Sequence, residues 1–242
     1  MNTDKDKNVV VRWDTEESLV RLVNAEHKRD FPRLAMFYQA QDNKMFCGVA
    51  AGAIVLNALR VGKVDEIIPL DTSTVSCHEM GYMAVGFVPH WNRYSQDTIL
   101  TTSGKSRIEI LGKPYEFGAY IEHIYGLHLF EFVEMMHANS AYATHVKVEN
   151  GQNYETVKAD IIKALDRKNH YVVAYFCRKA LNQNGSGHFS PIAAYDSNSD
   201  SFLLLDTNNV SNHWSWIDAN KLIEAMNTFD GYEYRGYSVV SD

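Results

Sequence analysis

Cys47 opens the run Phe46-Cys47-Gly48-Val49-Ala50-Ala51-Gly52-Ala53-Ile54-Val55-Leu56-Asn57-Ala58-Leu59, which from Gly48 onward is small and apolar, without proline or internal charge. Such a run reads as a buried helix. A cysteine at its mouth sits where unpaired backbone N–H groups and the positive end of the helix dipole converge. That position favours the thiolate, the nucleophilic form. A lone cysteine is equally at home as a small core side chain, so the nucleophile reading needs a base elsewhere in the chain.

The stretch Gly185-Ser186-Gly187-His188-Phe189-Ser190-Pro191 offers one. It leads into two short strand-like runs, Ile192-Ala193-Ala194-Tyr195 and Phe202-Leu203-Leu204-Leu205, separated by the turn formers Asp196-Ser197-Asn198-Ser199-Asp200. His188 enters the first strand and Asp206 leaves the second. A fold-back at Ser197 would set the two side chains opposite one another, within a residue of register and on one face. A histidine beside a carboxylate is what a cysteine nucleophile needs: the imidazole takes the thiol proton and returns it to the leaving amine, while the carboxylate fixes tautomer and orientation. Glycines on both sides of Ser186, Gly187 among them, would let a substrate backbone approach the histidine.

Gln41, Cys47-Gly48, the helix with Leu56-Asn57-Ala58-Leu59, Gly187-His188-Phe189-Ser190-Pro191, Leu205-Asp206 and Met226-Asn227-Thr228 together resemble the phytochelatin synthases, papain-like cysteine enzymes that act on glutathione. The resemblance is to a short form of that family. It runs from about Phe31 to the C-terminus and is weakest over 61–90. It implies a triad of Cys47, His188 and Asp206, with Gln41 as the oxyanion-hole amide. It also implies that Asp230 and Arg235, with Gly187, bind substrate. A carboxylate and an arginine fork complement the ammonium and carboxylate of a γ-glutamyl end. Tyr94-Ser95-Gln96-Asp97 and Arg178-Lys179 match as well, with no chemistry assigned. After the triad aspartate the family carries a basic stretch with a proline pair; here Thr207-Asn208-Asn209-Val210-Ser211-Asn212-His213-Trp214 has neither. That departure bears on the binding of a second, anionic glutathione.

The activity implied is release of glycine from glutathione through a γ-Glu-Cys acyl-enzyme. The acyl group then passes mainly to water, or to a second glutathione to build phytochelatin. A peptidase on another γ-glutamyl peptide and a non-catalytic metal–thiol binding module are the alternatives. No tightly bound cofactor is expected; Cd2+ or Zn2+ would enter as glutathione thiolates. Partners are therefore glutathione and its metal thiolates, with a homodimer left open. Cys77-His78 and His90 lack CxxC or HxxxH spacing, so no resident metal site is expected.

The elements that must position these groups follow an α+β, papain-like order. Helices are expected first, over 15–27 with Thr15 as cap and over 47–60. Further helices are expected over 115–124, 130–138 and 154–167. Strands are expected over 171–177, 189–195, 202–205 and 236–240, and 63–99 reads as irregular, a candidate lid. The 242 residues, 45% of them hydrophobic, suit a single catalytic domain over 1–242 without a cysteine-rich C-terminal extension. A net charge of −7 with no basic stripe argues against nucleic-acid binding. Three cysteines cannot all pair, which fits a reducing compartment. The charged N-terminus lacks a signal-peptide core, and no run is long enough to span a membrane. A cytoplasmic protein is expected, with export by a signal-less route left open.

Overall fold

A computed structural model of the chain describes residues 9–100, 104–112 and 125–242. The helices are α1 (Glu16–Asn24), α2 (Phe31–Met36), α3 (Cys47–Arg60), α4 (Cys77–Met80), α5 (Arg107–Leu111), α6 (Leu129–Ala138), α7 (Tyr154–Leu165) and α8 (Ala219–Met226). The strands are β1 (Val10–Arg12), β2 (Leu70–Asp71), β3 (Trp91–Asn92), β4 (Tyr142–Ala143) and β5 (Val146–Lys147). The longer ones follow as β6 (Tyr171–Cys177), β7 (Gly187–Asp196), β8 (Ser201–Leu204), β9 (Ser215–Asp218) and β10 (Gly236–Ser241). The architecture is mixed α+β, with most helices in the first half and a large antiparallel sheet in the second. That sheet runs β1-β9-β8-β7-β6-β10-β4, with β5 also paired to β10.

Both faces of the sheet are covered, which explains why β6 is apolar at every position. Tyr171, Val173 and Tyr175 join the core around α3 and α6, while Val172, Ala174 and Phe176 join the one around α7 and α8. Every residue of α3 is buried. Its two polar side chains are therefore tied down: Asn57 exchanges hydrogen bonds with the backbone of Tyr94 at 2.7 and 2.8 Å, and Arg60 donates to Tyr94 Oη at 3.0 Å. The match at Tyr94 thus serves the helix that carries Cys47.

The expected helix over 47–60 and strand over 171–177 are present with those bounds, and Thr15 caps α1 by accepting from the N–H of Ser18. The helix expected over 115–124 falls outside the described residues. The 63–99 segment holds α4 and the small β2–β3 ladder. Sequence reasoning passed over β9 and α8, although Asp218 followed by an apolar stripe at 219, 222, 223 and 226 is a helix start; Asp218 accepts from the N–H of Lys221 at 3.0 Å. No helix among the described residues is long and apolar enough to cross a membrane.

The β7–β8 hairpin differs from expectation in register. Asp196 pairs with Ser201, so the turn centres beyond Ser197, and Ile192 pairs with Leu204 across a bulge at Ala193 and Ala194. Both alanines face the α3 side. Counting on from Ile192–Leu204, Asp206 stands level with Ser190 rather than His188. The bulge is nevertheless what keeps Asp206 and His188 at the same parity; without it the hairpin register would turn them to opposite faces.

Gly236 lies where β10 meets both β5 and β6, opposite Lys147 and Tyr175. A Cβ there would stand 2.0 Å from the carbonyl oxygen of Val146 and 2.9 Å from Cα of Lys147, both backbone atoms. Gly236→Ala should therefore cost about 3 kcal/mol or more. A lower urea midpoint at unchanged slope would bear this out, and an unchanged midpoint would show that β5 can retreat.

Candidate active site

Cys47 is the first residue of α3, and its backbone N–H belongs to the first turn, which has no intrahelical acceptor. Cys47 is 8% exposed and lines a cleft of about 430 Å³. His188, at the second position of β7, shares a hydrogen bond with it. Nε2 of His188 lies 2.9 Å from Oδ1 of Asp206, so the other ring nitrogen is the one that serves the thiol. Asp206 follows β8 and is 2% exposed. The structure brings the three together in the order the sequence implies.

A fourth group completes the cluster. Arg178, immediately after β6 and 3% exposed, donates from Nη2 to Oδ1 of Asp206 at 2.8 Å, and its Nη1 is held by Gln183 at 2.7 Å. The backbone N–H of Asn208 donates to the same oxygen at 2.9 Å. Burial raises the carboxyl, but His188, Arg178 and this N–H outweigh it and hold its pKa at about 2. Burial also pushes the Cys47 thiol up. Against it act the hydrogen bond and charge of His188, the N–H of Phe189 and the charge of Arg178, which leave the thiol below its ordinary value. The imidazole of His188 is lowered by burial and raised more by Asp206 and Cys47. Both shifts favour one state, a thiolate beside an imidazolium.

Gln41 lines the same cleft. Its Oε1 accepts from Thr207 Oγ1 at 3.2 Å and its Nε2 donates to the carbonyl of Asn43 at 2.7 Å. The amide is thereby fixed, with one N–H left for a ligand. A backbone bond from Gln41 N–H to Thr207 at 2.8 Å ties this segment to the residue after Asp206.

Asp230 and Arg235, 5% and 7% exposed, line the same cleft. They do not pair with each other. Asp230 accepts from the N–H groups of Tyr232 and Glu233, from Tyr175 Oη at 3.1 Å, and faces His128 Nδ1 at 2.8 Å. Arg235 donates from Nη1 to Thr228 Oγ1 and to the carbonyl of Phe229, both at 3.1 Å; its ring partner is Tyr175, 5.1 Å away. Its buried Nε has no partner among the described residues. A guanidinium that lines a cleft is chemically suited to a carboxylate. Gly187 lines the cleft too, though a Cβ there would first meet the hydroxyl of Tyr175 at 2.9 Å. Its smallness makes room for that ring, whereas the sequence suggested room for a substrate backbone.

The phytochelatin synthase family model matches residues 6–70 and 87–237. The chain belongs to this family. Among curated relatives, glutathione gamma-glutamylcysteinyltransferase 1 of Lotus japonicus is 26% identical over 213 residues, 87% of this chain and 36% of its own length. Glutathione gamma-glutamylcysteinyltransferase of Schizosaccharomyces pombe is 22% identical over 249 residues, 96% of this chain and 54% of its own. Glutathione gamma-glutamylcysteinyltransferase 1 of Arabidopsis thaliana is 24% identical over 217 residues, 87% of this chain and 37% of its own. The chain thus spans between a third and just over half the length of these relatives.

Of the residues singled out in the sequence, Gln41, Cys47, Gly187, His188, Asp230 and Arg235 line one cleft, with Asp206 beside His188; Lys44, His128 and Tyr175 were not singled out, and Arg178 was matched without a role. Arg178 carried a signal, since a charged pair directly after a wholly apolar strand is out of keeping with a surface edge. His128 carried none. No residue of 63–99 is among the described lining residues of the cleft. Cys77, His78 and His90 do not converge; no metal-holding group of three or more His, Cys, Asp or Glu occurs among the described residues.

Because the thiol is held below its ordinary pKa, iodoacetamide should modify Cys47 at about pH 6 much faster than Cys77 or Cys177. His188→Ala should abolish that preference by returning the proton to sulfur. Peptide mapping that finds exposed Cys77 labelled first would refute the ion pair. Asp206→Asn should preserve the fold and leave the imidazole poorly oriented, lowering turnover by roughly 10⁴-fold. Near-normal turnover would mean that Arg178 and Asn208 orient the loop without any contribution from the carboxylate.

Proposed function

We propose that this protein is a papain-like cysteine acyltransferase and peptidase that cleaves the Cys–Gly bond of glutathione. The observation that carries the reading is one cleft that presents two sets of groups, the Cys47–His188–Asp206 chain and the buried Asp230 and Arg235. The first set can break an amide. The second offers a carboxylate and a guanidinium to a free amino-acid end, which is what the γ-glutamyl group presents.

In this mechanism the Cys47 thiolate attacks the carbonyl carbon of the substrate cysteine. The oxygen that gains charge is met by the spare N–H of Gln41 and the backbone N–H of Cys47, donors already fixed before the reaction. The imidazolium of His188 then gives its proton to the departing glycine nitrogen, and a γ-Glu-Cys thioester remains on Cys47. Neutral His188 takes a proton from water or from the α-amino group of a second glutathione; the oxygen or nitrogen bonds to the acyl carbon, the carbon–sulfur bond breaks, and the Cys47 thiolate is regenerated. Asp206 holds the ring through both halves. Cd2+ or Zn2+ enters, where present, as a thiolate complex of glutathione and so as substrate.

Water is the favoured acceptor on this reading. Where the family's basic stretch would stand, Asn208 and Ser211 line the cleft, and Arg178 is already committed to Asp206 and Gln183. Lys44 is the one exposed cation among the cleft's described lining residues. Each missing charge-assisted hydrogen bond to an anionic acceptor costs about 1.5–3 kcal/mol, or roughly ten- to a hundredfold in affinity. Intact mass spectrometry after mixing with glutathione should find a γ-Glu-Cys adduct that Cys47→Ala lacks. Chromatography at saturating glutathione, with and without cadmium, should find free γ-Glu-Cys in excess of longer oligomers. Absence of the adduct would refute the acyl-enzyme; an excess of oligomers would refute only the preference for water.

A further inference from the structure

The donor end of the cleft contains a histidine for which the mechanism has no use. Asp230 has about four acceptor positions, and all are occupied: Oδ1 by the N–H groups of Tyr232 and Glu233, both at 2.8 Å, and Oδ2 by Tyr175 Oη at 3.1 Å and His128 Nδ1 at 2.8 Å. A substrate ammonium can reach this carboxylate only by displacing one of those donors. The two N–H groups belong to the turn that carries Asp230 itself. Tyr175 is clamped, with its ring stacked on Phe189 at 4.2 Å and its hydroxyl lodged over Gly187. His128 is held less firmly. It keeps 19% of its side chain exposed in the cleft and rests on the rings of Phe130 and Tyr232, 5.8 and 5.4 Å away.

We propose that His128 is the specificity gate of the donor site, closed on Asp230 while cationic and open to the donor's ammonium once neutral. The proposal rests on the reading of Asp230 as the partner of that ammonium. A neutral imidazole can turn its unprotonated Nδ1 to the incoming group, so that the ammonium is shared by Asp230 Oδ2, Tyr175 Oη and His128 Nδ1. An imidazolium has no lone pair to offer and sets two cations at one carboxylate. Binding below the histidine's pKa therefore releases one proton to solvent.

The surroundings keep this group in the cationic form beyond its ordinary range. The hydrogen bond to Asp230 raises it, against burial, and the charges of Asp230 and Glu131 add to this while Lys105 opposes. Lys105 is itself paired with Glu131 at 3.1 Å. Of the other charged groups nearby, Glu233 is occupied by His145 at 2.8 Å and by the N–H of Phe130, and Arg235 lies over the ring of Tyr175, 5.1 Å from its centre.

The test is calorimetric binding to the Cys47→Ala protein, which cannot turn over. Two ligands are compared: glutathione and its deamino analogue, in which a glutaryl group replaces γ-glutamyl. From about pH 5.5 upward the Kd of glutathione should fall about tenfold per pH unit and level off above the pKa of His128. Buffers of differing ionisation enthalpy should register release of up to one proton. The deamino analogue should show neither effect. His128→Ser and His128→Gln should bind glutathione with a Kd that no longer varies over this range, which also separates the effect from any titration of His188. A flat profile in the parent protein, or a slope that survives both substitutions, overturns the gate. If glutathione fails to bind at every pH, the reading of the donor site falls with it, and that outcome is distinct from a flat profile.

Discussion

One carboxylate oxygen, Oδ1 of Asp206, organises the reactive half of this protein. It takes Nη2 of Arg178 at 2.8 Å, the N–H of Asn208 at 2.9 Å and stands 2.9 Å from Nε2 of His188. In the thiolate–imidazolium state the four buried groups, Cys47, His188, Asp206 and Arg178, sum to zero charge. That neutrality is what allows them to be buried together. Removing one partner from a buried ion pair typically costs about 3–5 kcal/mol, because the other is left without compensation. The quartet therefore acts as a tie between the start of α3, the start of β7, the end of β6 and the segment after β8. The same segment is secured again by Tyr38 Oη on the Asp206 carbonyl at 2.7 Å and by Gln41 on Thr207. The side-chain amide of Gln41 and the carboxylate of Asp206 are thus anchored on two adjacent, hydrogen-bonded stretches.

The parts of this arrangement that could be read from the sequence are those whose signal is local. The bounds of α3 follow from an unbroken apolar run, and those of β6 from seven apolar residues, six of them buried, that alternate between the two faces of the sheet. His188 and Asp206 could be paired because turn formers mark the hairpin between them. The register could not be read in the same way. It depends on a bulge at Ala193 and Ala194, two small residues that leave no mark in an alternating pattern. Arg178 and Tyr175 owe their roles to neighbours brought in by β-pairing, and His128 meets Asp230 across 102 positions of chain. Such contacts are decided by tertiary packing, and no periodicity encodes them. Gly187 is the instructive case: its lack of a side chain was legible, and the ring that needs the space was not.

His188 is linked to Asp230 and Arg235 through one stack of rings. Phe189, next in the chain after His188, lies 4.2 Å from Tyr175 with the planes 7° apart, and Phe132 of α6 stacks on its other side at 5.2 Å. Tyr175 in turn reaches Asp230 through its hydroxyl and underlies Arg235 with its ring. The β6–β7 register pairs Tyr175 with Phe189 and Phe176 with His188, so it fixes how far the base stands from the recognition groups. On the proposed reading, that register sets the length of donor the cleft accepts, measured from the amino end to the carbonyl under attack. A one-residue slip would turn Tyr175 to the opposite face of the sheet and part Asp230 from the ring that positions it. Orientation of this kind, fixed before substrate arrives, is where much of the rate enhancement of an acyl-transfer site originates. The apolar pairing of two central strands is therefore as much a part of the chemistry as the thiol.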